Sequence, residues 1–380
     1  MVRRALIPAA LLLLTVAGAA CVDDNIPPRP KIDASVPDGG DDVPSADDGG
    51  SGCGDDAGTD GGAVLLAKTS SCDGLKLVVS GCTLYWTEED TGLVKSVPTG
   101  GGPVTTIASG QLFPRALAVD GTSIFWVVGD SGEHSKTHDT IMKRALAGGP
   151  SSVFIPPEHN PDPLGGENAV NAMLAANGWL YFARYIYTYK TPSDGDVPTP
   201  IGASPPNDLG QPGAFALGGA YLYQVELMHN GVSRERIDGN QVGLLEDGTS
   251  TAMLAPDRIA VSQLPNLVTD AIAVVDDHVA WAMNTSIWRK AGNTLWRDPK
   301  TLVADSLGGN MITGFVATDA VIFFGEYSAD TVQTVGFYGG TPKIVATGQA
   351  APSQFAADAN NVYWRTSDCN IMKLAKPPPP

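Results

Sequence analysis

The side chains best suited to chemistry fall close together between positions 134 and 159. His134-Ser-Lys-Thr-His138-Asp139 is followed by Pro157-Glu158-His159. Three imidazoles and two carboxylates are the N and O donors that a divalent ion takes in a tetrahedral or octahedral set. A histidine beside such an ion can also act as a general base. The spacing fits no compact metal-binding pattern, and solvated loop histidines would leave the same sequence. No cofactor is expected, with a divalent metal at these five residues as the open alternative. His229 and His278 stand apart. A second candidate is Tyr185-Ile-Tyr187-Thr-Tyr189-Lys, whose tyrosines share one face if the segment is a strand. Such a face would stack on a sugar or peptide, or pack beneath a loop. No G-x-S-x-G elbow occurs, and no Gly-rich loop leads from a strand into a helix. Catalytic residues therefore remain unassigned.

These residues have to be held by something, and the chain repeats one device seven times. LKLVVSGCTLYW (75–86), RALAVDGTSIFW (115–126), NAMLAANGWLYF (171–182), GAFALGGAYLYQ (213–224), AIAVVDDHVAW (271–281), GFVATDAVIFF (314–324) and SQFAADANNVYW (353–364) share a pattern. Each is an apolar strand, a turn of Gly, Asp or Asn, and a second strand ending in aromatic residues. The period is about 40 to 58 residues, the range of propeller blades. A second hairpin follows in the clearest units: LVKSVPTGGGPVTTIAS (93–109), TIMKRALAGGPSSVFI (140–155) and TVQTVGFYGGTPKIVAT (331–347). The Gly100–Gly102 run is thus a hairpin turn, not a phosphate cradle.

The expected fold is all-β: a seven-bladed β-propeller of four-stranded blades, strands A to D from the axis outward. The seventh unit supplies only A, B and C, ending with NIMKLA at Asn370–Ala375. AVLLAKTS (63–70) has the look of a D strand and stands ready to complete that blade and close the ring. SIWRKA and TLWRDP both suit strand C of the fifth unit. The phrase Tyr85-Trp86-Thr87-Glu88 resembles the YWTD repeat of low-density-lipoprotein-receptor propellers. The whole repeat is similar to that of bacterial lipoproteins with YWTD- or NHL-like propeller domains, over roughly residues 63 to 376. The chain departs from YWTD propellers in having seven units, and its later units lose the Thr-Asp, so no receptor ligand carries over.

In such blades the D-to-A and B-to-C connections lie on one face, here the upper, and the A-to-B and C-to-D connections on the lower. The long segments 127–139, 156–169, 203–213 and 246–270 all read as upper connections, making that face the candidate for binding. It would serve a protein or glycan partner, or, with the histidines converged, a lyase-like metal enzyme. The same topology sorts the cysteines. Strand A separates Cys72 from Cys82 by far more than a disulfide spans. Cys72 and Cys369 belong to the upper face, Cys53 and Cys82 to the lower, so the expected bridges are Cys72–Cys369 and Cys53–Cys82.

The ends set the compartment. Arg3 and Arg4 precede an apolar run, Ala5 to Ala20, too short for a bilayer span and ending in small residues. Val16-Ala17-Gly18-Ala19-Ala20-Cys21 resembles a lipoprotein cleavage site, which makes Cys21 the acylated first residue of the mature chain; an ordinary signal peptide is the alternative. Residues 21–62 follow as a tether with eleven Asp against Arg29 and Lys31 and almost nothing large to bury. Its acids lack the spacing of an EF-hand loop. The organisation is therefore signal 1–20, tether 21–62, propeller 63–376 and a proline tail 377–380. A net charge of -17 with no basic patch argues against nucleic acid. The expected location is the bacterial cell envelope, on the outer membrane or cell surface, with the membrane contacted through lipid alone.

Overall fold

The computed structural model describes residues 62–72, 76–129, 139–156, 170–184, 187–203, 212–226, 231–238, 257–261, 267–292, 300–318 and 320–377. They contain strands and turns and no helix. β1 (Val64–Lys68) comes first. Blade 1 follows with β2 (Leu77–Ser80), β3 (Thr83–Glu88), β4 (Leu93–Pro98) and β5 (Thr105–Ala108). Blade 2 holds β6 (Arg115–Val119), β7 (Ser123–Val128), β8 (Thr140–Ala145) and β9 (Ser152–Ile155). Blade 3 holds β10 (Val170–Ala176), β11 (Trp179–Arg184), β12 (Tyr187–Pro192) and β13 (Thr199–Ala203). In blade 4 come β14 (Pro212–Gly218), β15 (Tyr221–Glu226), β16 (Gly231–Arg236) and β17 (Asp257–Val261). Blade 5 has β18 (Leu267–Val275), β19 (His278–Met283), β20 (Ser286–Ala291) and β21 (Thr301–Asp305), and blade 6 has β22 (Ile312–Thr318), β23 (Val321–Glu326), β24 (Thr331–Gly336) and β25 (Lys343–Ala346). Blade 7 contains β26 (Ser353–Ala357), β27 (Asn361–Arg365) and β28 (Asn370–Ala375), with β1 antiparallel to β28 as its fourth strand. Each first strand touches the first strands of both neighbouring blades, and β2 touches β26, so the seven sheets form a closed ring.

Blades 3 and 5 each have four strands, with SIWRKA as strand C of blade 5. One expectation is corrected. The stretch 246–270 is not a single upper connection, because Asp257–Val261 within it pairs with β16 as strand D of blade 4.

Why the second strand carries two adjacent aromatics in five of the blades becomes plain from the packing. Neighbouring residues on a strand point to opposite faces, so Trp86 meets blade 7 while Tyr85 meets blade 2. The alternation repeats: Trp126 faces blade 1 and Phe125 blade 3; Trp364 faces blade 6 and Tyr363 blade 1. Seven separate buried clusters result, one per blade interface. Trp86, Trp126, Trp281 and Trp364 are at most 1% exposed. Each buries on the order of 150–250 Å², which makes these rings the main adhesive between blades.

Polar clasps work at the lower edge. The fourth residue of strand C is a cation in five blades, and its charged end reaches the C-to-D turn of the next blade. Lys143 donates to the Ser193 carbonyl at 2.5 Å, Lys190 to Ile237 at 2.5 Å and Lys373 to Thr99 at 2.8 Å. Arg234 reaches the Gly292 carbonyl, and Arg289 lies 4.9 Å from the Tyr338 ring centre. Blades 1 and 6 have Ser96 and Thr334 there. The stems lie along apolar surface while four of the heads satisfy a turn carbonyl.

Candidate functional site

The first strands of all seven blades line a central channel of about 810 Å³. Its wall side chains are mostly small, among them Ala118, Ala172, Gly213, Ala273, Ala317 and Ala356. Six of the seven A–B pairs shift register near their upper ends, as between Arg115 and Leu117 and between Ser353 and Ala356. Ala116 and Gln354 take positive φ there, 36° and 53°. Such bulges re-aim side chains, and non-glycine residues at positive φ cost energy that the surrounding structure must supply. The lower ends show no matching irregularity in these pairs. The upper mouth is therefore the specialised end of the channel.

Lys76, just before β2, and Arg365, the last residue of β27, line the channel at that mouth with Gln354 and Cys72. Arg365 donates to the Cys72 carbonyl. Cys72 is bonded to Cys369, with Cα atoms 4.9 Å apart, which ties the residues after β1 to the upper turn of blade 7. Cys82 is also disulfide-bonded; Cys53, expected as its partner, lies outside the described residues. Glu88, at the upper end of β3, fastens the same crossing. It is fully buried, accepts from Trp86 Nε1 at 3.0 Å and Ser70 N at 3.2 Å, and pairs with Lys95 at 3.0 Å. Burial pushes its carboxyl up, but the hydrogen bonds from Trp86, Lys95, Ser70 and Thr91 outweigh that and hold it below the ordinary value.

A second charged group spans the upper ends of blades 2 and 3. Both Asp139 oxygens accept from Arg115 Nη2, at 2.6 and 2.7 Å, and one also accepts from Val170 N at 2.6 Å. Arg184 Nη2 donates to the Asp139 carbonyl at 2.8 Å, while its buried Nε has no hydrogen-bond partner among the described residues. Burial pushes the Asp139 carboxyl above the ordinary range, and the Arg115 charge offsets only part of this. Arg115 engages both oxygens, so a metal taking Asp139 as a ligand would have to compete with that ion pair.

The other members of the proposed donor set, His134, His138, Glu158 and His159, lie outside the described residues, as do Cys21 and Tyr185. Among the described residues no group of three or more His, Cys, Asp or Glu side chains gathers to hold a metal. His278, in the described part, sits on the lower side of blade 5 with its ring edge-on to Tyr338 at 5.6 Å. Tyr187 and Tyr189 are 7% and 2% exposed; Tyr189 stacks on Phe182 at 5.2 Å. They pack the interface between blades 2 and 3. Sequence reading overlooked Lys76, Arg115, Arg184 and Arg365. The only signal for the three arginines is a cation at a strand terminus whose interior is apolar. Chemically, the mouth sets two cations, Lys76 and Arg365, at one end of the channel.

Seven four-stranded blades closed around a channel define a seven-bladed β-propeller. No family model matches the chain, and no curated protein shows significant sequence similarity to it. Solved structures do share the fold. Virginiamycin B lyase from Staphylococcus aureus, crystallised in inactive form with quinupristin, aligns with a TM-score of 0.61 at 14% identity, over 83% of this chain and 99% of that one. YCF48 bound to D1 peptide aligns at 0.56 and 11% identity, over 83% and 94%. The computationally designed Ika8 protein aligns at 0.51 and 11%, over 82% and 99%. At these identities the likeness concerns the fold alone. Within the described residues no helix is long and apolar enough to cross a membrane.

Proposed function

We propose that this protein is a lipid-anchored binding module of the bacterial cell envelope, acylated at Cys21, that presents the upper face of its propeller to an extracytoplasmic protein or glycan. The asymmetry between the two ends of the channel carries this reading. At the lower end the A-to-B turns are terse, and cations clasp the turns between blades. At the upper end six inner strands bulge and Lys76 and Arg365 line the mouth. A channel whose inner hairpins leave regular pairing at one end only is built to present that end. Structural neighbours on this fold include both a lyase and a peptide-bound protein, so the fold alone selects neither activity.

The test is site-directed photo-crosslinking in cells, with the reactive residue at Ser328 or Gly348 on the upper face and at Gly101 or Gly121 on the lower. Cross-links from the upper positions only are expected; cross-links only from the lower ones sink the reading. Cys21→Ser should release the protein from the membrane fraction. The metal-enzyme alternative is examined by thermal unfolding with zinc, calcium and manganese, beside a His138→Ala/His159→Ala variant. A metal at 100 times its dissociation constant adds about 2.7 kcal/mol. Stabilisation of the parent alone would move the enzyme reading ahead.

A further inference from the structure

On the upper face of blade 6, three large apolar side chains lie open to solvent. Leu307 and Met311, in the connection from β21 to β22, are 52% and 44% exposed, and Tyr327, in the β23–β24 turn, is 56% exposed. Met311 and Tyr327 are adjacent, since Tyr327 N donates to the Met311 carbonyl at 3.0 Å, and Leu307 lies in the same short connection as Met311. A soluble chain usually scatters exposed apolar residues singly, so a contiguous group needs a reason.

The group is also held in shape. Gly308 N donates to Glu326 Oε1 at 3.2 Å and Leu307 N to Gln333 Oε1 at 3.3 Å. Glu326 and Gln333 are 1% and 0% exposed, so two buried polar side chains pin the connection from below. Ser306 Oγ closes it by donating to the Asn310 carbonyl at 2.7 Å, and Gly309 turns at φ 64°. A fixed cluster loses little conformational entropy when it is covered.

The surroundings select the occupant. Exposed Asp305 ends β21 on one side, and exposed Asp330 stands in the β23–β24 turn on the other. The connections 306–311, 327–330, 347–352 and 366–369 contain no Lys or Arg. An acidic rim repels an anionic membrane surface and favours a cationic partner. Tyr, Met and Leu supply no hydroxyl-reading network for a glycan, whereas a rigid Tyr within an apolar group is the usual centre of a protein interface.

We infer that Leu307, Met311 and Tyr327 form the docking site for a protein segment that carries apolar anchors flanked by Lys or Arg. This rests on the upper face being the binding face, and it names both the place and the chemistry. The test uses full-length protein and a synthetic amphipathic helical peptide of Leu and Lys with one Trp, with affinity read by fluorescence anisotropy. Met311→Ser/Tyr327→Ser should weaken binding at least tenfold with an unchanged melting temperature. Rising salt should weaken it further, and a peptide with Glu in place of Lys should not bind.

Equal affinity for parent and variant overturns the inference, as does equal binding of the Glu peptide. Hydrogen exchange separates the two levels of the argument. Protection at 306–311 and 327–330 supports this site. Protection confined to other upper turns refutes it and leaves the upper-face reading standing, while protection of the lower turns sinks both. A parent that sediments as a dimer, with a variant that does not, would make a second copy of the chain the occupant and overturn the partner chemistry.

Discussion

Where blade 7 meets blade 1, Trp86 packs with Leu84, Val97 and Tyr363 in a dry cluster. Where blade 3 meets blade 4, the position equivalent to Trp86 is Gln224, and its amide replaces the indole. Gln224 is 1% exposed, accepts from Thr188 Oγ1 at 3.2 Å and donates to Glu235 Oε1 at 3.2 Å. The first junction adds the Cys72–Cys369 bond, the Glu88 anchor and the Lys373 clasp. The second has the Lys190 clasp and a smaller buried cluster of Tyr181, Ile201 and Leu222. The reinforced joint lies beside the seam, since within blade 7 β1 and β28 are held by a ladder with no connecting turn. At the opposite side of the ring the chain is continuous, and a polar network suffices.

The largest expected effect is at the reinforced joint. Trp86→Ala removes a fully buried indole and leaves Glu88 without one of its donors. It should cost about 3–5 kcal/mol, combining lost burial with the cavity left behind. Chemical denaturation of parent and variant measures it directly. A loss under about 1 kcal/mol would mean the aromatic clusters do not hold the ring together.

Next comes the bond at the seam. Cys72→Ser/Cys369→Ser should lower stability by about 2–5 kcal/mol, because the bridge closes nearly the whole ring in the unfolded chain. Hydrogen exchange should show β1 opening before any blade of the opposite side. Uniform opening would show that the ladder between β1 and β28 holds the seam unaided.

Glu88 gives the comparison a pH axis. Its folded value is held below the ordinary 4.5, so its contribution is complete above about pH 4.5 and is lost as pH falls through the folded value. In Glu88→Gln, Lys95 loses its charged partner, and the variant should be less stable at pH 7 by about 1–3 kcal/mol. The gap should narrow as pH drops from 5 to 3, because only the parent loses this carboxylate. Melting curves of the two proteins across that range decide it; a constant gap would show that the Glu88 charge contributes nothing.

Legibility in the sequence followed repetition. Strands A and B were readable because their aromatics recur at a steady period and answer to the same geometric need in each blade. Strand D is readable where a Gly-rich turn precedes it, as in GGPSSVFI and GGTPKIVAT, and is missed in blade 4, where DRIAV lies inside the stretch 246–270 that reads as one upper connection. The candidate site was legible only in part. Asp139 stood out as an acid near histidines, but its actual partners are Arg115, 24 residues earlier, and Arg184, 45 later. Only the register of three strands brings them together, and no local pattern encodes that. Lys76 and Arg365 are single cations at strand ends, and a ring must close before they share a mouth. The apolar group on blade 6 was likewise invisible, because Leu307, Met311 and Tyr327 look like core residues until their exposure is known.

The smallest expected effect tests whether the polar joint is held by its hydrogen bonds or merely tolerates them. Gln224→Leu exchanges a buried amide for a side chain of similar size. It takes an acceptor from Thr188 and a donor from Glu235, a loss of about 1–3 kcal/mol for each group left unsatisfied. Against that, a buried Leu beside Tyr181 and Leu222 contributes about 1.5–3 kcal/mol of apolar burial. The burial offsets roughly one of the two losses, so the variant should be destabilised by about 1–2 kcal/mol. Gln224→Glu offers no such compensation, because it sets a second carboxylate against Glu235 in a buried space, and should be clearly destabilising at pH 7 and less so at pH 4. If Gln224→Leu instead costs more than about 2 kcal/mol, the network holds this interface as the Trp86 cluster holds the other, and the two joints differ in chemistry but not in strength.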